Sequence, residues 1–199
     1  MRRPSTSSER ESLGFPAAVK SAFGALAIDY GLGTISSNPT LVRYSSDKVS
    51  LDVYHGRMSY EIGAEVGRVG AINSRTYRVA DVLRVVLGEA HGVQSLFWAN
   101  SPGAIVERLD SLARLVTEYY PAVLRGDADV WVRIETEIAE YEEAETRKIV
   151  EYPVRVGAEK AWNLKDYVQV AGLYATIERH LSEVERRRLE YARGKLRES

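Results

Sequence analysis

Between Arg43 and Glu65 the chain carries Asp52, Tyr54, Glu61 and Glu65 in segments whose apolar residues alternate with polar ones. Side chains two apart on an extended strand point to one face. Depending on how the strands register, the spacing can gather these residues, with Arg43 and with Tyr60 in the same region, on one side of a sheet. Carboxylates so placed can trade protons with a substrate or hold a divalent cation through oxygen. On the wet side of an antiparallel sheet they also serve simply as solvated polar surface. An acidic face that bears tyrosine is in addition a docking surface for a basic protein, since tyrosine is a frequent interface anchor. We assign Asp52, Tyr54, Glu61 and Glu65 to contact with a protein partner. Glu135 and Glu142, from an acidic helical stretch, join them as the alternative contact surface. No residue is assigned a catalytic or metal-binding role, and no cofactor is expected.

Other residue types capable of chemistry form no recognisable set. His55, His91 and His180 lie far apart, without the H-E-x-x-H or H-x-x-x-H spacing that puts two imidazoles on one helix face. No G-x-S-x-G elbow supports a serine nucleophile. The glycines at Gly31-Leu32-Gly33 and from Gly63 to Gly70 fit neither a phosphate loop nor a dinucleotide fingerprint. Arg125-Gly126-Asp127 spells an integrin motif, but Gly126 here also reads as a helix stop with Asp127 or Asp129 as the next start. Absence of cysteine removes disulfides, thiolate nucleophiles and cysteine zinc sites together.

Three short strands must position the acidic face. The first runs from about Thr40 to Tyr44, the second from Lys48 to His55, and the third from Tyr60 to Gly67, with turns at Ser45-Ser46-Asp47 and His55-Gly56-Arg57. Loops this short join antiparallel neighbours. A further short strand is allowed at Leu32 to Ile35, before a turn at Ser36-Ser37-Asn38-Pro39. A sheet of this size needs cover, and a helix from Phe15 to Gly31, with Val19, Phe23 and Leu26 in register, supplies it. The fold class is therefore α+β: an N-terminal helix on a three- to four-stranded antiparallel meander, followed by a helical half over about residues 101–199.

Helical spacing continues downstream. Val79 to Leu87 forms a short helix, the stretch from Gln94 to Asn100 is apolar and irregular, with Phe97 and Trp98 expected to plug a helix junction, and Ser101-Pro102 starts a helix through Tyr119. Trp131, Ile134, Ile138 and Tyr141 line the next, which Pro153 ends. A last helix runs from near Trp162 to Leu196, its second half charged nearly all round. Residues 1–13 carry little to bury and are expected to be disordered; residues 14–199 are drawn as a single domain.

At 199 residues, 45% hydrophobic and 28% charged, the composition is that of a soluble globular protein, and the net charge of −1 gives no global attraction to nucleic acid or membrane. No stretch is long and apolar enough to span a bilayer, and Met1-Arg2-Arg3 is followed by no apolar run, which points to a cytoplasmic protein. Charge is segregated near the C-terminus: acidic from Asp129 to Glu151, basic over Arg179 to Arg197. Two antiparallel helices solvating each other account for this. A basic tail on nucleic acid is the rival reading, although Glu183, Glu185 and Glu190 interrupt it and Tyr191 is its one stacking ring.

The run from Leu41 to Val49, the pieces Val53-Tyr54-His55-Gly56-Arg57 and Ser59-Tyr60-Glu61-Ile62, and Leu124-Arg125-Gly126-Asp127 resemble a family of small uncharacterised bacterial proteins. That family is similar in layout to the immunity proteins that protect bacteria from polymorphic toxins: a helix, a small antiparallel sheet, then helices. The resemblance implies a non-enzymatic protein that binds and occludes a partner, such as a basic toxin or effector, and it carries over no catalytic residue. The long charged C-terminus departs from the pattern. A small hydrolase or metal-dependent enzyme, with carboxylates converging on the sheet face, is the alternative class.

Overall fold

The computed structural model describes residues 7–56, 59–70, 75–88 and 97–197. Contacts within the chain divide it into two compact units, Met1–Ile138 and Ala139–Ser199. The sequence analysis drew one domain from residue 14.

The first unit opens with α1 (Ser7–Ser12) and α2 (Phe15–Asp29). Helix α1 falls inside the segment expected to be disordered. What orders it is Arg10, only 4% exposed, which reaches back to groups on the sheet described below. Strands β1 (Gly33–Asn38), β2 (Leu41–Ser45), β3 (Val49–His55), β4 (Glu61–Arg68) and β5 (Thr76–Arg78) follow as an antiparallel meander in the order β1-β2-β3-β4-β5. A two-residue strand, β6 (Phe97–Trp98), pairs with the start of β4 on the edge whose far end β5 occupies. The sheet is thus larger than the three or four strands expected. Strands β5 and β6 are too short to show a period of two in the sequence. The outer strand β1 is polar and exposed throughout and carries a register irregularity between Thr34 and Ser36, both devices that discourage further edge pairing.

Alternation decides which face is buried. Val42, Tyr44, Val49, Leu51, Val53, Ile62, Ala64 and Val66 lie on one side and are at most 3% exposed. Against them pack Phe15, Val19 and Phe23 of α2, Val82 and Leu83 of α3 (Val79–Leu87), and Ile105 and Leu109 of α4 (Pro102–Tyr119). Helix α4 starts as its sequence requires: Ser101 accepts the Ala104 amide at 3.4 Å, and Pro102 occupies the first turn, where its missing N–H costs nothing. Helix α5 (Pro121–Leu124) leads into the turn at Gly126. There φ is +73°, a conformation glycine adopts without strain, and Arg125 pairs with Asp127 at 3.0 Å across it. Trp131, Ile134 and Ile138, on the first turns of α6 (Ala128–Asn163), complete this core.

The second unit holds the rest of α6, then α7 (Tyr167–Thr176), a 3-10 turn (Glu178–His180) and α8 (Glu183–Arg197). Two expectations are corrected here. Helix α6 does not end at Pro153 but runs ten residues beyond it. Proline deprives the Ile149 carbonyl of its partner, yet Ile149 is 74% exposed, so water can satisfy that group. Nor is there one helix from Trp162 to Leu196. Asp166 caps α7 by accepting the Gln169 amide at 3.0 Å, and Ser182 with Glu185 forms a reciprocal capping box: the Glu185 amide donates to Ser182 Oγ, and the Ser182 amide to Glu185 at 2.7 Å. The signal for that second start, Ser182-x-x-Glu185, stands in the sequence, overridden there by the apolar stripe that continues across it. Ala158, Ala161, Val170, Tyr174, Leu189 and Ala192 form this unit's own core. Among the described residues no helix is long and apolar enough to cross a membrane.

Candidate functional site

The face of the sheet turned away from α2, α3 and α4 is built by register. Arg43 pairs with Asp52, Asp52 with Glu65, and Glu65 with Arg78, which lays one row of charges across β2, β3, β4 and β5. Two residues along, Leu41 pairs with Tyr54 and Tyr54 with Gly63; at the end of β4, Glu61 pairs with Trp98 of β6. The sequence analysis thus grouped Asp52, Tyr54, Glu61 and Glu65 on the side where the structure has them.

Their electrostatic roles differ from one another. Asp52 is 7% exposed and is bound by Arg43 through two parallel bonds, Nε at 2.7 Å and an Nη at 2.5 Å. Such a fork is the strongest geometry available to a carboxylate. What this pair shows to solvent is chiefly the guanidinium, since the Arg43 side chain is 47% exposed against 10% for Asp52. Two carboxylates directly opposite one another, Asp52 and Glu65, repel. The row tolerates them because a cation stands at each end. Glu65 accepts a 2.8 Å bond from the Thr76 hydroxyl and remains half-buried, as does Glu61. The acidic character of the face therefore rests on Glu61 and Glu65, while Asp52 fixes Arg43.

Tyr54 lies flat across β4. A Cβ built on Gly63 would stand 2.4 Å from the Tyr54 hydroxyl and 2.5 Å from the ring carbon that bears it, so the absence of a side chain at residue 63 is what lets the ring settle there. Burial pushes the phenol above its ordinary range, and the negative charges of Glu61, Glu65 and Asp81 push the same way against Arg78. The group stays a protonated donor beside two carboxylates. Trp98, 57% exposed, stands edge-on to Tyr60 at 5.6 Å and next to Glu61 in register. Sequence reasoning missed Arg78 as a member of the face and expected Trp98 to plug a helix junction; Trp98 instead pairs with Glu61 and is exposed, and both residues enter the face through the two short strands.

The remaining assigned residues lie elsewhere. Glu135 pairs with Arg68 at 3.5 Å, and Arg68, opposite Val49, belongs to the other side of the sheet. Glu142 belongs to the second unit. Of the histidines, His55 is buried in the first unit, His180 donates from Nδ1 to Glu151 at 2.6 Å in the second, and His91 lies outside the described residues, as do Arg57 and the stretch 94–96. Among the described residues no three His, Asp or Glu side chains are placed to hold a metal ion. Two open depressions flank α2. One is lined by Ala22, Asp110, Arg114 and Glu118, the other, of about 510 Å³, by Gly24, Gly31, Thr34 and Tyr44. Neither touches Asp52, Tyr54, Glu61 or Glu65.

Compared with protein-family models, with curated proteins and with solved structures, the chain matches none.

Proposed function

We propose that this chain is a non-enzymatic protein-binding protein of the immunity kind, acting in the bacterial cytoplasm, which covers the working surface of a basic partner with the open face of its sheet. The observation that carries the reading is the composition of that face: Glu61 and Glu65 are half-buried beside the phenol of Tyr54, with Trp98 exposed at the margin. Carboxylates held near a low-dielectric ring attract a guanidinium or ammonium more strongly than they would in open water. An exposed tryptophan and a fixed tyrosine give such a cation apolar flanks. Supporting it, the charge row fixes the face before any partner arrives, which lowers the ordering cost of association. The two depressions at α2 lie on other surfaces.

The test uses a nona-arginine peptide as the probe. Titrated into isotopically labelled protein at low salt, it should shift the amides of Tyr54, Glu61, Glu65 and Trp98 ahead of those on the acidic stretch of α6. Reversing both charges, E61K with E65K, should slow association by roughly tenfold at low salt and flatten its dependence on ionic strength, as loss of electrostatic steering does. Shifts confined to α6, or an association rate indifferent to the reversal, would remove the sheet face from consideration. Retention of RNA that disappears on truncating residues 186–199 would favour the basic tail instead.

A further inference from the structure

We propose that the chain pairs with a second copy of itself through the second half of α6, the two helices running antiparallel about a two-fold axis beside Tyr152. In this unit α6 buries Glu151, Ala158 and Ala161. On its other side Ile149 is 74% exposed, Tyr152 69% and Val156 48%. At 3.6 residues per turn these three, with Glu145 one turn before them and Lys160 one turn after, fall within an arc of about 80°, opposite the buried residues. The stripe they form is about 22 Å long. Exposed apolar residues scattered singly are ordinary, but a row at spacings of three and four is the seam along which helices pair.

The order of residues along the stripe names its occupant. Ile149 and Val156 stand equally far from the midpoint between Tyr152 and Pro153, and so do Glu145 and Lys160. Turned end for end on a second copy, each Ile149 therefore meets a Val156, and each Glu145 meets a Lys160 of opposite charge. The two Tyr152 rings meet beside the axis, where offset or edge-on packing is favourable. In a parallel pair, Glu145 would face Glu145 and Lys160 would face Lys160. The antiparallel contact is isologous, so one self-complementary set of residues serves both copies. Glu145 is paired within its own helix to Lys148 at 2.7 Å, an exposed ion pair of little net worth that does not compete strongly for it.

Area sets the strength. Ile149, Tyr152 and Val156 together present on the order of 300 Å² of apolar surface per copy, a size at which an exposed patch is often a contact. Doubled by symmetry and with the charged flanks added, the interface stays at or below about 1,200 Å², the low end for specific association. The pairing is therefore weak and reversible, with a dissociation constant of roughly 10–100 µM. It belongs to the second unit and stands whether or not the sheet face binds a partner.

The test is sedimentation equilibrium of the full chain from about 5 to about 500 µM at low ionic strength, a range that brackets the expected constant, with helix content and melting temperature recorded for every variant. The parent chain should pass from monomer to dimer across that range. Tyr152→Glu, at a site exposed in the single chain, should keep its fold and remain monomeric. Glu145→Lys and Lys160→Glu should each weaken pairing roughly tenfold, because symmetry counts each change twice. The two changes in one chain should restore it, the charges having exchanged places. A parent chain that is monomeric at every concentration, a Tyr152→Glu chain that still pairs, a double variant no stronger than the singles, or assembly that continues past the dimer would each overturn the proposal.

Discussion

Replacing Gly63 by alanine tests the contact on which the open face depends. A methyl group at residue 63 would sit 2.4 Å from the Tyr54 hydroxyl and 2.5 Å from the adjoining ring carbon, so the ring must swing off β4. A tyrosine covers about 200 Å² when fully packed, and Tyr54 is half-buried. At about 25 cal/mol per Å² the burial lost is worth roughly 2.5 kcal/mol at most. Alanine in place of a strand glycine returns roughly 0.5–1 kcal/mol through the unfolded chain. The expected net loss is about 1–2 kcal/mol, or a fall in melting temperature of roughly 3–6 °C for a chain of this size. The assay is a double-mutant cycle in urea with G63A, Y54A and both together. In the Y54A background the methyl meets open space, so G63A there should be neutral or stabilising by up to about 1 kcal/mol. The two sites should therefore couple by about 2 kcal/mol. An equal cost for G63A with and without the tyrosine would refute the reasoning.

Two further outcomes follow from the ion pairs. Arg43→Met strips Asp52 of its fork and leaves it nearly buried opposite Glu65; because Arg43 is half-exposed and solvent-screened, the loss should be about 1–2 kcal/mol rather than the larger cost of breaking a fully buried pair. Adding D52N should restore most of it in urea unfolding, and a single variant as stable as the parent would contradict the arrangement. In the second unit, Arg155 and His180 hold the Glu151 carboxyl below its ordinary 4.5, against the opposing effect of burial, and Arg193 does the same for Glu178. Groups lowered in the folded state stabilise it fully above 4.5, and that stability is lost as pH falls through the lowered values. Thermal unfolding of this unit, followed through the Trp162 ring between pH 6 and pH 2, should show that decline, and E151Q should flatten it. A decline of unchanged slope in E151Q would show that this carboxylate does not carry the effect.

Local pattern sufficed for a large part of this protein. Alternation from Val49 to Val53 and from Ile62 to Val66 named the two central strands and their buried side, because a half-buried strand repeats every two residues and a slip of one would turn every apolar group to solvent. The same parity put Asp52 with Tyr54, and Glu61 with Glu65, on the polar side of their own strands, the register between strands being left open, and Ser101-Pro102 marked a helix start through its own capping chemistry. Local pattern failed where a segment's neighbours decide its state. Strands β5 and β6 exist because β4 offers an edge to pair with, and Pro153 sits in a helix whose residue one turn back, Ile149, is exposed. The order in α1 depends on Arg10 meeting His55, 45 residues away in sequence.

Within the candidate face the division is sharper. Residue types and spacing determined which side chains lie on the polar side of each strand, and that those sides are acidic and tyrosine-bearing. The tertiary structure alone decided that Asp52 is held by Arg43, that Tyr54 rests on Gly63, and that Trp98 joins Glu61. These are contacts between strands, set by register and by the close approach of a backbone, and spacing along a single strand carries no record of them.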